Sequence, residues 1–316
     1  MISRLRIICF LAVAAVYLIV ASVASAQQTV KEGFIDVPGG KVWYRTAGTG
    51  KGTPLLTIHG GPGGTCDYLF SLDVLGDERT VIYYDQLGSG KSDHPKDLSL
   101  WTTARFVDEL AALRKALGLE KIHLLGHSWG TMLAVEYIKT KHPTGIESLI
   151  LSSSCISVSK WADDAKVLVA QLPKELQDTI RKNETAGTTD SPEYLAATME
   201  YYKRYMCRLD PWPKFLIEGM PNMDVYGTMW GPSEFRVTGT LIDFERADIL
   251  PTLKMPVLYT SGRYDECRPE TSAWYQQQTP GAKLAIIENS GHLTSLDNPA
   301  AYAKAVRDFL HGVEMK

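Results

Sequence analysis

The sequence predicts an α/β fold: a mainly parallel sheet with helices on both faces and a wholly helical segment inserted before its last strands. Three observations predict it. Short apolar runs rich in β-branched residues recur along the chain, amphipathic helical patterns separate several of them, and the rhythm breaks once, between about Ile156 and Glu234. Strands alternating with helices imply parallel pairing, because each parallel connection needs a crossover that packs on a sheet face.

The expected strands, in order, are Lys41–Thr46, Pro54–His59, Thr80–Asp85, Lys121–Gly126, Glu147–Ser152, Met255–Ser261 and Lys283–Glu288. A helix over Thr102–Leu117 places Phe106, Leu110, Leu113 and Leu117 on one face, and Gly118 stops it. Trp129–Thr140 and Pro299–Leu310 are two more helices. Within the break, helical patterns fall on Trp161–Leu172, Glu175–Lys182 and Pro192–Cys207, with no strand-like run between them. Large aromatics crowd this stretch from Trp161 to Trp230. Most are core at helical spacing, and a few are available to line a pocket. The expected organisation is a leader over 1–26, core over 27–155, a helical cap over 156–233 and the rest of the core over 234–316.

The leader has the marks of a secretory signal peptide. Arg4 and Arg6 open it, Ile7 to Val23 is apolar, and Ala24-Ser25-Ala26 offers a small-residue cleavage site before Gln27. The alternative is a membrane anchor, since the run is nearly long enough to span. Cleavage implies an exported protein, periplasmic or secreted, with no stable membrane association afterwards. In an oxidising compartment Cys66, Cys155, Cys207 and Cys267 could pair, but buried free thiols are equally compatible with a core this large. Thirty-three basic and 36 acidic residues give a net charge of −3, which excludes an electrostatic case for nucleic-acid binding.

The chemistry sits in four short segments. Gly126-His127-Ser128-Trp129-Gly130 follows a predicted strand and opens a predicted helix, the setting of a nucleophile elbow. His59-Gly60-Gly61-Pro62-Gly63-Gly64 follows an earlier strand; so many glycines let backbone N–H groups face a cavity and stabilise an oxyanion. A serine nucleophile needs a base, and the base an orienting acid. Asp265 and His292 each lie just past a predicted strand end, where open α/β sheets gather their sites. Asp243 and Asp248 are the competing acids. The order Ser128, Asp265, His292 is that of an α/β-hydrolase triad.

On these residues, and on Asp85-Gln86-Leu87-Gly88-Ser89-Gly90-Lys91-Ser92, the sequence resembles the proline iminopeptidase family of serine aminopeptidases. It is most similar to the tricorn-interacting-factor-like branch. Two positions depart: Leu87 stands where many members have arginine, and Thr131 replaces a second glycine after the elbow. The resemblance implies an exopeptidase that removes one residue from the N-terminus of a small peptide, with proline one candidate. It implies oxyanion donation by the backbone of Gly61 and Trp129, and binding of the substrate ammonium by Glu234 and Glu266. No metal or organic cofactor is implied. Glu234 could instead be a solvated charge, and Glu266 a partner of Arg263. The rival functions are an amino-acid amidase acting on aminoacyl amides, a carboxylesterase or lactonase, and a binding protein without chemistry. The sequence leaves the oligomeric state open.

Overall fold

The computed structural model describes residues 29–219 and 221–315, so the expected leader, Met1–Ala26, lies outside the described residues. Among the described residues eight strands form one sheet in the order β1-β2-β4-β3-β5-β6-β7-β8. They are β1 Val30–Val37, β2 Gly40–Ala47, β3 Gly52–Ile58, β4 Arg79–Tyr84, β5 Ile122–His127, β6 Ile146–Ser152, β7 Val257–Gly262 and β8 Lys283–Ile287. The β1–β2 and β2–β4 pairs are antiparallel, and all later pairs are parallel.

Among the described residues ten α-helices accompany the sheet: α1 Thr103–Ala116, α2 Trp129–Lys141, α3 Val158–Val169, α4 Lys174–Ala186, α5 Pro192–Tyr205, α6 Lys214–Glu218, α7 Met223–Met229, α8 Pro269–Gln278, α9 Thr294–Asp297 and α10 Pro299–Glu314. Capping sets several of their starts. The Thr102 hydroxyl accepts from the Arg105 N–H at α1, Ser157 from Lys160 at α3, and Ser191 from Tyr194 at α5. Ser157 explains why α3 begins three residues before the expected Trp161.

Alternate residues along the strands feed two cores. Leu56, Ile82, Tyr84, Leu124 and Leu149 face α1 and α2, whereas Leu55, Val81, Tyr83, Leu125 and Ile150 face α10 and the 3₁₀ segment Asp67–Leu75. A third cluster lies within the insertion, where Leu168 of α3, Ile180 of α4 and Tyr194 and Tyr201 of α5 pack together. Between β6 and β7 the described residues contain helices and no strand.

Among the elements not expected from the sequence are β1, α8 and the 3₁₀ segment Asp67–Leu75. β1 has mixed polar and apolar residues with mostly exposed or half-buried side chains, as an edge strand permits. α8 has little amphipathic contrast, and the segment Asp67–Leu75 is too tightly wound to show a 3.6-residue period. The four cysteines among the described residues are all free and buried, which settles that alternative against disulfides. Among the described residues no helix is long and apolar enough to cross a membrane.

An ion pair that is buried on the Arg79 side fastens α10 to the sheet. Arg79 of β4, 1% exposed, donates to Glu314 at 2.6 and 3.0 Å, and His123 of β5 approaches the same carboxylate at 3.2 Å. These partners, the Arg79 hydrogen bonds foremost, hold the Glu314 carboxyl down to about 2 from its ordinary 4.5. A depressed acid stabilises the fold fully above its unfolded value and loses that contribution as pH falls through its folded value. Glu314→Gln should therefore cost about 1–3 kcal/mol at pH 7, because the buried Arg79 is left with only the more distant Glu78, at 3.7 Å, as a charged partner. Urea unfolding checks this, and the gap from wild type should shrink as pH is lowered from 5 towards 2.

Candidate active site

β5 ends at His127 and α2 begins at Trp129, so Ser128 alone makes the turn. It takes φ 55° and ψ −122°, a region that residues with a Cβ seldom occupy. Its backbone N–H donates to the Ser152 carbonyl at 3.0 Å, and its carbonyl accepts from the Thr131 N–H at 2.8 Å and the Thr131 hydroxyl at 2.7 Å. Strand and helix approach closely enough that a Cβ on Gly126 would lie 2.3 Å from the Gly130 carbonyl oxygen. A Cβ on Gly130 would lie 2.3 Å from that of Ile58. Thr131 turns out to be a lock: its buried hydroxyl also accepts from the Cys155 N–H at 2.9 Å.

Asp265 and His292 are brought together from the loops after β7 and β8. His292 Nδ1 lies 2.8 Å from Asp265 Oδ1, which also accepts from the Cys267 N–H at 2.9 Å, while Oδ2 accepts from the Gly262 N–H at 3.1 Å. The competing acids are elsewhere: Asp243 is exposed, and Asp248 pairs with Lys139 at 2.6 Å. The His292 backbone is anchored by the inserted helices, since its N–H donates to the Tyr205 carbonyl at 2.7 Å. Its ring meets Trp161 edge-on at 5.5 Å. Ser128 and His292 line one cavity of about 60 Å³, together with Gly61, Tyr68, Met206, Leu216 and Glu234.

The glycine loop borders the same cavity. Gly61 has φ 119°, and a Cβ there would fall 2.6 Å from the Gly64 nitrogen. Among the described residues neither the Gly61 nor the Trp129 backbone N–H has an acceptor, so both can serve a developing oxyanion. The Asp85–Ser92 segment braces this arrangement. The Gln86 side-chain amide donates to the His59 carbonyl at 3.1 Å and accepts from the Trp129 indole N–H at 2.9 Å. Asp85 accepts from the backbone N–H groups of Cys66 and Lys91, both at 2.9 Å. Leu87 is buried, and its N–H points at Glu109, the partner of Arg105.

Glu266 follows Asp265 and is 1% exposed, yet neither of its carboxylate oxygens has a hydrogen-bond partner among the described residues. Burial, and then the nearby charges of Glu234 and Asp265, push its carboxyl well above the usual range. Glu234 lines the cavity, and its Oε1 accepts from the Tyr226 hydroxyl at 2.8 Å. Burial raises its carboxyl as well, against the lowering influence of His292 and Tyr226. Arg263 pairs with Glu288 at 2.5 Å and not with Glu266. Glu266 is thus buried and Glu234 half-buried, and among the described residues neither is paired with a Lys or Arg. Among the described residues no group of three or more His, Cys, Asp or Glu is placed to hold a metal ion.

Residues 53–299 match the family model described as alpha/beta hydrolase fold. The chain is 46% identical over 286 residues to a proline iminopeptidase of Heyndrickxia coagulans, covering 89% of this chain and 99% of that one. Among solved structures it resembles a proline iminopeptidase of Mycobacterium smegmatis, with 36% identity, a TM-score of 0.83, and coverage of 90% of this chain and 99% of that one. VinJ is similar at 34% identity and a TM-score of 0.85, with the same coverage.

Sequence reasoning missed Gln86 as a brace and Thr131 as a lock, because a buried hydrogen bond leaves no periodic signal. The brace can be tested directly. Gln86→Leu would leave the His59 carbonyl and the Trp129 indole N–H buried without partners, at about 1–3 kcal/mol each. Denaturant unfolding should show a loss of about 2–6 kcal/mol with an unchanged m-value.

Proposed function

Because the chain belongs to the proline iminopeptidase family of α/β-hydrolases, we propose that it is a serine aminopeptidase releasing a compact apolar N-terminal residue, proline foremost, from small peptides. The observation that carries this reading is Glu266, a buried carboxylate with no partner of its own, beside the hydrogen-bonded Asp265–His292 pair. A general esterase has no use for such a group. A peptide with a free N-terminus does, because Glu234 and Glu266 would bind the ammonium and so hold the first peptide carbonyl at a fixed distance from that anchor.

In this mechanism Ser128 Oγ attacks the carbonyl carbon as its proton passes to His292 Nε2. Asp265 holds the ring through Nδ1 and stabilises the imidazolium. The carbonyl oxygen gains negative charge and receives the N–H groups of Gly61 and Trp129, each worth on the order of 3 kcal/mol in the transition state. Collapse breaks the C–N bond, and His292 returns the proton to the leaving amine. Water then repeats the sequence on the acyl-enzyme and frees the amino acid. The cavity's modest volume and apolar wall suit a compact side chain.

Export is the second part of the proposal, supported by Arg4, Arg6 and the Ala24-Ser25-Ala26 site. N-terminal sequencing of protein from its native host should begin at Gln27; an intact Met1 on membrane-bound protein would defeat it.

Ser128→Ala should abolish hydrolysis in a protein that remains folded. Glu234→Gln and Glu266→Gln should each lower kcat/KM for an aminoacyl amide on the order of 30-fold or more, and leave a simple ester almost unaffected. The same amide-to-ester ratio should fall on acidification. A raised carboxyl keeps a proton in the empty site, and the ammonium must displace it, so affinity grows with pH while the demand on His292 cancels. A ratio unchanged in both variants and flat with pH would reduce the protein to a general serine hydrolase.

A further inference from the structure

The catalytic cycle above leaves unused a buried hydrogen-bond chain that touches each of its parts. The Gly60 N–H lies 2.7 Å from the Tyr68 hydroxyl oxygen, and that oxygen lies 2.8 Å from His127 Nδ1. His127 Nε2 lies 3.0 Å from the carbonyl oxygen of His292. Tyr68 is 7% exposed and His127 1%, and both line the cavity.

The two ends of the chain, with a neutral His127 ring between them, fix the direction of every bond in it. A backbone N–H only donates, so the Tyr68 oxygen accepts from Gly60 and its own proton is free to point at His127 Nδ1. A carbonyl only accepts, so His127 carries its proton on Nε2 and gives it to His292. In the neutral ring Nδ1 then carries no proton and accepts from the Tyr68 hydroxyl; in an imidazolium it would donate instead, to an oxygen that already accepts from Gly60. Burial, reinforced by the neighbouring His292, pushes the His127 imidazole down to about 3, which keeps that tautomer in place. With both nitrogens committed, His127 cannot compete with His292 for the serine proton.

The positions of these residues give the chain its consequence. Gly60 precedes the oxyanion donor Gly61, His127 precedes Ser128, and His292 is the base itself. Ring contacts reinforce the bonds, with centroids 5.0 Å apart for Tyr68 and His127 and 4.8 Å for His127 and His292. Ser153 Oγ donates to the same His292 carbonyl at 3.0 Å.

We propose that Tyr68 and His127 are positioning residues, a one-way hydrogen-bond bridge that holds the oxyanion loop, the nucleophile turn and the base in mutual register. This rests on the serine-hydrolase reading of Ser128 and His292, and not on the identity of the substrate. Losing the Tyr68 hydroxyl strands the Gly60 N–H and frees the loop to shift against His292, and misplacements of an ångström can cost on the order of 100-fold in rate.

The test uses the mature enzyme with an aminoacyl amide and a simple ester, counting active sites with a fluorophosphonate. Tyr68→Phe should lower kcat about 10- to 100-fold on both substrates with KM nearly constant, unlike Glu234→Gln or Glu266→Gln. In wild-type protein labelled with ¹⁵N-histidine, NMR should show His127, identified by its contact with the Tyr68 ring, as the neutral Nε2–H tautomer throughout pH 5 to 8. A wild-type kcat in Tyr68→Phe overturns the inference, and so does a His127 that titrates in that range or carries its proton on Nδ1. If Tyr68→Phe does not fold, the spectrum decides. Ester hydrolysis that survives in Ser128→Ala would defeat the serine-hydrolase reading instead.

Discussion

A strand and a helix that meet with one residue between them impose the geometry on which this site depends. Positive φ at Ser128 costs on the order of 1–3 kcal/mol, and a cost of that size persists only where the surroundings over-determine the turn. They do so here. β5 lies between β3 and β6 near the middle of the sheet, Gly126 and Gly130 allow contact that any side chain would block, and Thr131 grips the Ser128 carbonyl. The same turn leaves the first N–H of α2 without an intrahelical partner, at the place where a developing oxyanion requires a donor. In the proposed mechanism, nucleophile and electrophilic assistance thus come from one backbone constraint.

Neighbouring acids show how local hydrogen bonding divides roles between like residues. Asp265 is held by three N–H donors, from His292, Cys267 and Gly262, and is a fixed acceptor. Glu266, next in the chain and as deeply buried, has none. The first is finished as a structural element in the free protein; the second, in the proposed function, is completed by the substrate ammonium. Histidine shows the same division. His127 has both nitrogens occupied, whereas His292 keeps Nε2 for chemistry.

Much of this was legible in the sequence. Parallel strands buried on both faces read as continuous apolar runs, and Ser128, Asp265 and His292 each follow such a run, where topology delivers them to one edge of the sheet. Other features left no trace of that kind. β1 carries the mixed pattern of an edge strand, and Tyr68 sits in a 3₁₀ segment without helical period. His127 reads as part of the elbow motif until its two hydrogen bonds are seen. Gln86 and Thr131 act through buried polar contacts between segments far apart in sequence, which no local pattern encodes.

The seam between α5 and the loop carrying His292 bears on how such an enzyme can be altered. The carbonyls of Tyr205 and Met206 receive the N–H groups of His292 and Leu293 at 2.7 and 2.8 Å, and a Cβ on Gly291 would lie 2.6 Å from the Tyr205 oxygen. The end of α5 is therefore part of the base's foundation as well as of the cavity's roof. Leu216, Gly219 and Pro221 line the cavity from the chain around the short helix α6. The insertion is thus two unequal modules. Grafting a relative's sequence into the segment between α5 and α7 re-cuts the wall that a substrate side chain meets, whereas grafting through the end of α5 resets the catalytic base and the specificity together.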